Sequence, residues 1–356
     1  RQRQMCIRDS SGSQIAPKAR GVVLQSDGDN VYALVDEDGR TRTVLKYEGS
    51  GWTDLGVLSD YSYGCSLVIK SGVPYVIGIG DGGYTIILKE YRDGAWRTLA
   101  TYEAGARVGS PSMAFVGEKL YVVNTEGEVG FEDVVVYEVA EGALSRVASV
   151  PAGTVTDMKA FELGDGLAVS YGDIYKDVSF VRWFKNNEWK ELSKSEHAAY
   201  SVSVAHDGGK TYVYQGLRFP NGDVATPQIV VLDGLGNVER SVSLKGYEQS
   251  SPTGKIASSE GRLYLCMTTR EGYVAKVYSS PASDLETWES LGSDVYSPAY
   301  ATSMAIAGES VYVGFTDYGT HDALVKRHDV VKQEHPLTIE MMTPPDVVYG
   351  LSLIHI

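Results

Sequence analysis

Short apolar runs and tight glycine turns alternate along the whole chain with a fixed spacing. Seven times, a glycine turn is followed by an apolar dyad built on one equivalent position, which we call the anchor. The gaps between successive anchors are 43, 46, 47, 44, 52 and 48 residues. This period is too short for tandem sandwich domains and too long for a β-solenoid coil, and it fits a four-stranded propeller blade. The anchors are Tyr32, Tyr75, Tyr121, Ala168, Tyr212, Tyr264 and Tyr312.

Each unit predicts four short strands. The first, innermost strand carries a large apolar residue eight positions before the anchor in every unit except the fourth, where Ala160 takes that place. A glycine hairpin, the anchor strand, a third apolar strand and a fourth outer strand follow. Runs of this length, bounded by Gly, Asp and Asn, with no convincing amphipathic helix, predict an all-β, seven-bladed β-propeller of four-stranded antiparallel blades. The hairpin glycines are Gly28, Gly72, Gly117, Gly164, Gly208, Gly261 and Gly308.

The fourth strand carries the pattern Trp-x-x-Leu in four units, at Trp52, Trp96, Trp189 and Trp288. A tryptophan that recurs once per unit on the outermost strand is predicted to pack between blades, because it buries a large apolar area while its indole N–H finds a partner near the rim.

The combination Gly-x-x-Tyr-Val with Trp-x-x-Leu resembles the repeats of bacterial sialidase-like and kelch-like propellers, in particular secreted or surface proteins. Residues 283–288 (SDLETW) also resemble a degenerate Asp-box, the turn between the third and fourth strands of sialidase-like blades, although the glycine is missing and the motif is one residue short. In that family the Asp-box is structural, so the resemblance supports the fold and says little about function.

Both ends of the chain read as translated sequencing-adapter DNA. Residues 1–10 (RQRQMCIRDS) and 351–356 (LSLIHI) back-translate to the two strands of one adapter string. We therefore expect these segments to be artefacts. The predicted domain is a single propeller over residues 11–350, a fragment of a longer gene, with residues 335–342 as the expected last outer strand.

Composition narrows the partners. The formal net charge is −14 and no Lys/Arg cluster offsets it, which disfavours nucleic acid and anionic membranes as partners. No apolar run reaches the roughly 20 residues needed to span a bilayer. Cys65 and Cys266 are both expected in inner strands, as small buried hydrophobes. The chain is expected to be monomeric.

The longer connections, second-to-third within a blade and fourth-to-first between blades, emerge on one face and form a mouth around the central channel, where binding loops are expected. The inter-blade loops are rich in tyrosine, whose flat ring and hydroxyl suit sugars or peptides. With 24 tyrosines in the chain, the alternative is that these rings pack between blades. The predicted ligand-binding residues are Tyr61, Tyr63, Arg107, Tyr200, Tyr247, Tyr296 and Tyr300.

The second-to-third loops are acidic. Paired carboxylates there are candidates for a glycosidase acid and base, and solvated turn carboxylates are the alternative. A sialidase-like arginine triad has only Arg107 near an inner strand, with Arg218 and Arg270 in loops. The histidines show no zinc spacing, and no metal or cofactor is expected. The acidic positions are Asp36, Glu37, Asp38, Asp81, Glu126, Glu128, Asp173, Asp177, Asp223, Asp317 and Asp322.

From these observations we favour a non-catalytic propeller, secreted or on the bacterial cell envelope, that recognises a glycan or a protein through its mouth. The alternative is a glycoside hydrolase or lyase that uses mouth carboxylates. A structural module of a larger multidomain chain is a third interpretation.

Overall fold

The computed structural model describes residues 13–37, 41–217, 226–246, 250–269, 274–291, 299–317 and 319–329. They form seven separate four-stranded antiparallel sheets, arranged as a ring of blades. The only helical segment within these ranges is a one-turn 3₁₀ element, Asp81–Gly83. The predicted all-β, seven-bladed propeller is confirmed.

The first four blades follow the chain in order, inner strand first. Blade 1 is β2 (Gly21–Asp27), β3 (Asn30–Asp36), β4 (Arg42–Tyr47) and β5 (Trp52–Leu58). Blade 2 is β6 (Tyr63–Lys70), β7 (Val73–Ile79), β8 (Thr85–Arg92) and β9 (Ala95–Glu103). Blade 3 is β10 (Val108–Val116), β11 (Lys119–Glu126), β12 (Asp133–Ala140) and β13 (Ala143–Pro151). Blade 4 is β14 (Val155–Leu163), β15 (Gly166–Asp173), β16 (Val178–Lys185) and β17 (Glu188–Ser195).

The last three blades complete the ring. Blade 5 is β18 (Ala199–Asp207), β19 (Lys210–Leu217), β20 (Gln228–Leu232) and β21 (Val238–Ser243). Blade 6 is β22 (Ser250–Ser259), β23 (Arg262–Thr269), β24 (Ala275–Pro281) and β25 (Glu289–Ser290). Blade 7 is β26 (Ala299–Ala307), β27 (Ser310–Asp317) and β28 (Ala323–Asp329), with β1 (Ser13–Ala16) as its outer strand.

The ring is closed by its first strand. Ser13 pairs with Val325 and Ala16 pairs with Ala323, so β1 lies antiparallel to β28 at the outer edge of blade 7. The expectation that residues 335–342 supply this strand is therefore wrong, because the edge of β28 is already occupied. Residues 335–342 themselves lie outside the described ranges.

The glycine hairpins between first and second strands have the predicted geometry. All seven hairpin glycines adopt φ between 55° and 77°, a region that a Cβ disfavours. At Gly28, for example, the register runs without interruption from Gly21 opposite Asp36 to Asp27 opposite Asn30. These turns define one face of the ring, the turn face. The opposite face, where the inner strands begin, is the mouth face.

Apolar clusters lie between adjacent blades and form the core. The outer-strand tryptophans contribute to them: Trp52 packs in the cluster of blades 7 and 1, and Trp96 packs in that of blades 1 and 2. Trp96 lies directly on the backbone of Gly56 in the preceding blade, where a Cβ would sit 3.4 Å from its Cδ1. Inter-blade packing by tryptophan is confirmed.

The expected rim partner of the indole is found only in part. Trp288 Nε1 donates to the Leu285 carbonyl at 2.9 Å, but Nε1 of Trp96 and of Trp189 is buried with no hydrogen-bond partner among the described residues.

Cys65 and Cys266 are free, and one of them lies in a different strand from the one expected. Cys65 is in the inner strand β6, whereas Cys266 is in the second strand β23 and fully buried. Burial raises the pKa of the Cys65 thiol to about 11 and that of Cys266 to about 12. Both thiols are therefore protonated and unreactive near neutral pH.

Candidate functional site

The inner strands of all seven blades line a central channel of about 910 Å³. Near the mouth, the inner strands of six blades carry a register shift against their second strand, as between Tyr63 and Cys65 or between Ala199 and Ser201. Such bulges bend a strand and redirect its side chains. Only β2 pairs with its neighbour without a shift. The mouth is therefore the irregular end of the barrel of inner strands.

Tyr61 lies in the core and not on the mouth surface. It is 1% exposed, belongs to the cluster between blades 1 and 2, and donates its hydroxyl to the Val76 carbonyl at 3.2 Å. Its ring covers Gly78 so closely that a Cβ there would lie 2.5 Å from Cδ1. Burial raises the pKa of Tyr61 well above its usual value. This tyrosine fits the packing alternative, since its ring and hydroxyl are both occupied.

Tyr200 does line the central channel. It is half-buried and lies at the mouth end of β18, beside the register shift in blade 5. Tyr63 and Tyr300 lie at the equivalent mouth ends of β6 and β26, where the backbone is described. Tyr247 and Tyr296 lie outside the described residues, as do Arg218 and Arg270.

Arg107 is exposed in the loop that enters blade 3, beside the second-to-third loop of the same blade. Its carbonyl accepts a hydrogen bond from Gly127 N–H at 3.0 Å. Burial raises the pKa of Glu132, a donation from Val155 N–H opposes that shift, and the Arg107 charge also acts to lower it. Arg107 thus lies close enough to the 127–132 loop to influence its electrostatics.

Three successive second-to-third loops on the mouth face present exposed aromatic rings. Tyr84 in blade 2 is 50% exposed, Phe131 in blade 3 is 82% exposed and Tyr175 in blade 4 is 73% exposed. We call these residues, together with Arg107, the aromatic rim. The three rings are not among the residues predicted from the sequence, because those aromatic residues lie in inter-blade loops and these lie in second-to-third loops. Their positions in the sequence could have indicated them, since each of the three aromatic residues comes shortly after the end of a predicted second strand.

The rim loops are held by local hydrogen bonds. Asp173 is fully buried, and its Oδ1 accepts from the backbone N–H groups of Tyr175 and Lys176 at 3.1 Å each. The Tyr175 ring then packs on the neighbouring loop, where a Cβ on Gly130 would lie 3.3 Å from Cε2. Gly130 has φ of 92°, which suits glycine. Tyr175 and the loop that carries Phe131 are therefore in contact across two blades.

Other acidic residues of these loops have similar structural roles. Asp317 Oδ1 accepts from Gly319 and Thr320 N–H at 2.7 and 2.6 Å, repeating the arrangement of Asp173. Asp36 forms an ion pair with Arg42 at 2.8 Å. These contacts fit the turn-carboxylate alternative.

Glu126 is the most enclosed of the loop glutamates. Its carboxylate accepts a hydrogen bond from the Tyr137 hydroxyl, and its Oε2 lies 3.5 Å from Nη1 of Arg146. Burial raises its pKa, and the charge of Arg146 opposes that shift. Asp38 and Asp223 lie outside the described residues.

Two further features bear on ligands and partners. Within the described ranges, no group of three or more His, Cys, Asp or Glu residues is arranged to hold a metal ion. The same part of the chain contains no helix that is long and apolar enough to cross a membrane.

Comparison with solved structures supports the ring architecture. The fucose-specific lectin of Aleuria aurantia, solved with α-methyl-L-fucoside, is similar with a TM-score of 0.53 and 13% identity over 82% of this chain and 99% of that one. A structure of the same lectin is described as a six-bladed propeller, so it has one blade fewer than the present ring.

Proteins of other kinds share the fold. A puromycin-hydrolysing peptidase of Mycobacterium tuberculosis gives a TM-score of 0.60 and 17% identity over 90% of this chain and 54% of that one. Sqt1 of Saccharomyces cerevisiae gives a TM-score of 0.51 and 10% identity over 89% of this chain and 98% of that one. At such identities the likeness shows the fold alone.

No protein-family model and no curated protein matches the sequence. The resemblance to sialidase-like and kelch-like propellers stays a prediction.

Proposed function

We propose that this chain is a non-catalytic binding propeller that recognises a glycan on its mouth face, and that it works outside the cell or on the cell envelope. The aromatic rim is the observation that carries the proposal. Three large rings with half or more of their surface in water, on three consecutive blades, are costly to leave uncovered. Sugar rings stack their C–H faces on such aromatics.

Arg107 supplies the polar complement of the rim. An exposed guanidinium offers five N–H donors in a fixed plane, which suits the hydroxyl and ring oxygens of a sugar. Tyr200 at the channel entrance extends the same surface inwards. We retain Tyr63, Tyr247, Tyr296 and Tyr300 as proposed contacts on the mouth, and we leave out Tyr61 because it is buried.

Binding is favoured over hydrolysis by what the acidic residues already do. Asp173 and Asp317 accept backbone N–H groups of their own loops, and Asp36 is paired with Arg42. A hydrolase needs an acid and a base whose oxygens face the substrate, about 5 to 9 Å apart. Carboxylates whose oxygens are engaged with the backbone or with an arginine keep a loop in a fixed shape for binding, but their oxygens do not face a substrate. Lectins are among the proteins that share the fold.

The test is a glycan array probed with the wild-type protein and with a Phe131→Ala/Tyr175→Ala double variant. We expect binding to one glycan class, weakened about tenfold or more in the double variant because both stacking faces are removed. Arg107→Ala is expected to weaken the same glycans.

Leu235→Ala is the matched control. Leu235 is 74% exposed but lies in the turn between β20 and β21, on the turn face. It should leave binding unchanged. An array without any bound glycan, or equal binding by the double variant, would contradict the proposal.

A further inference from the structure

Each inner strand has an equivalent residue nine positions before the anchor of its blade. We call it the inner ring position. Blades 2, 3, 5 and 7 carry serine there, blades 4 and 6 carry lysine, and blade 1 carries valine. Lysines and serines of this position line the central channel. The seven residues, from blade 1 to blade 7, are Val23, Ser66, Ser112, Lys159, Ser203, Lys255 and Ser303.

The serines of blades 3, 5 and 7 have a structural role. Each is at most 9% exposed, and each Oγ accepts a hydrogen bond, at 2.9 to 3.1 Å, from a backbone N–H in the inner strand of the next blade. These bonds tie neighbouring blades together beside the channel. The pairs are Ser112 with Ala160, Ser203 with Ile256, and Ser303 with Leu24.

The two lysines do not fill that role. Both are half-buried in the channel wall, and neither makes a hydrogen bond or an ion pair with any residue in the described ranges. Asp157 lies two residues before Lys159 on the same strand, but its oxygens accept the N–H groups of Met158 and Val202 at 2.9 and 2.8 Å. The nearby carboxylate is thus engaged with the backbone.

The surroundings disfavour two bare ammonium groups at this depth. Burial, and next the charge of Lys255, lower the pKa of Lys159 to about 8, while Asp157 acts in the opposite direction. A partly buried ammonium without a partner is unfavourable in a folded protein. Folding does not require lysine here, because serine occupies the equivalent position in other blades. Residues that break a local structural pattern in this way are typical of functional sites.

We propose that Lys159 and Lys255 form a binding site for a carboxylate in the central channel. The two ammonium charges and the Asp157 charge leave a net charge of +1 at this level of the channel, which one carboxylate balances. A volume of about 910 Å³ admits a ligand of monosaccharide size or larger. The carboxylate belongs either to a free small acid or to an acidic sugar, and the site does not depend on the aromatic rim.

The test is an NMR titration of the full chain carrying ¹³C-labelled lysine, at constant ionic strength. Sodium acetate and sodium glucuronate are the probes, with acetamide and glucose as neutral counterparts. We expect the signals of Lys159 and Lys255, assigned with Lys159→Met and Lys255→Met, to shift saturably with at least one carboxylate and with neither neutral compound. Each methionine variant should weaken that binding about tenfold or more, the size of a charge-assisted hydrogen bond.

Lys119→Met is the control, because Lys119 lies on the turn face, exposed and paired with Glu138. Tighter binding of glucuronate assigns the site to an acidic sugar, and equal binding of acetate assigns it to a small free acid. The proposal is overturned if neither carboxylate gives a saturable shift, if Lys119→Met weakens binding as much as the channel variants, or if sulfate binds in preference to both carboxylates.

Discussion

The inner strands of blades 5 and 6 carry different residues at the inner ring position. One residue has a structural role between blades and the other faces the central channel. Ser203 in blade 5 accepts the Ile256 N–H of the next blade and is almost completely buried. Lys255 in blade 6 occupies the same place, lines the same channel and makes no such bond within the described ranges. Both residues stand nine positions before the anchor of their blade, so the side chain at this one position either joins two blades or faces the channel.

This difference shows how a repeat fold gains a function without losing its architecture. A ring of seven blades needs inter-blade bonds at enough places, and it does not need them everywhere. Blades 4 and 5 are joined close by through Asp157, which accepts the Val202 N–H at 2.8 Å. The inner ring position of blade 4 is thereby released for Lys159.

The largest effect on stability is expected from removing the serine hydroxyls that join neighbouring blades. Combined Ser112→Ala, Ser203→Ala and Ser303→Ala substitutions should lower the free energy of unfolding by about 3 kcal/mol, because each leaves a buried backbone N–H without its acceptor at about 1 kcal/mol. Urea denaturation measures the loss. Alanine at the exposed Ser145 and Ser241 should have almost no effect, and an equal loss there would refute the assigned role.

Replacing a channel lysine should raise the free energy of unfolding, the opposite of the effect of the serine substitutions. Lys159→Met should raise the free energy of unfolding by about 1 to 2 kcal/mol, since it replaces a partly buried, unpaired ammonium with an apolar chain of similar size. The same denaturation experiment measures the gain. Lys119→Met serves as the exposed control. A destabilised Lys159→Met protein would show that the ammonium has a stabilising partner.

The gain should depend on pH in a defined window. The pKa of Lys159 is about 8 in the folded protein and near 10.5 in the unfolded chain. Between these values the unfolded state binds more protons, so the stability of the wild type rises with pH on account of this group. The advantage of Lys159→Met should be full below pH 8 and shrink as the pH approaches 10.5. A constant difference across that range would contradict the lowered pKa.

The smallest effect tests whether blade 4, which carries lysine at the inner ring position, can form the same inter-blade hydrogen bond as the blades that carry serine. Lys159→Ser should be about 0.5 to 1 kcal/mol more stable than Lys159→Ala, because the new hydroxyl can accept the Val204 N–H as serines do in other blades. Equal stability of the two variants would mean that blade 4 differs from the serine blades in backbone position as well as side chain.

Much of the fold could be predicted because its signals are local. Gly28 must adopt a positive φ, and Tyr32 follows it by four residues, as the anchors of the other units follow their glycines by three or four, so one blade predicts the next. Closure could not be predicted in this way. Ser13–Ala16 carries no repeat motif, and its partner lies at the other end of the described chain.

The site was harder to predict than the ring. Tyr61 and Tyr200 both lie near the start of an inner strand, yet Tyr61 packs on Gly78 between blades and Tyr200 lines the channel. A single sequence does not reveal that difference. Lys159 and Lys255 could have been found by comparing the residues nine positions before the anchors, where they replace serine.

The four-residue strand β1 also has a consequence for how the molecule reaches its native state. Each blade from 1 to 6 forms from contacts close in sequence, but the last blade waits for Ser13 to meet Val325, about 310 residues away. Such a long chain closure is slow compared with hairpin formation. We therefore expect an open arc of assembled sheets to precede the closed circle during refolding, with the docking of this short N-terminal segment as its final, rate-limiting event.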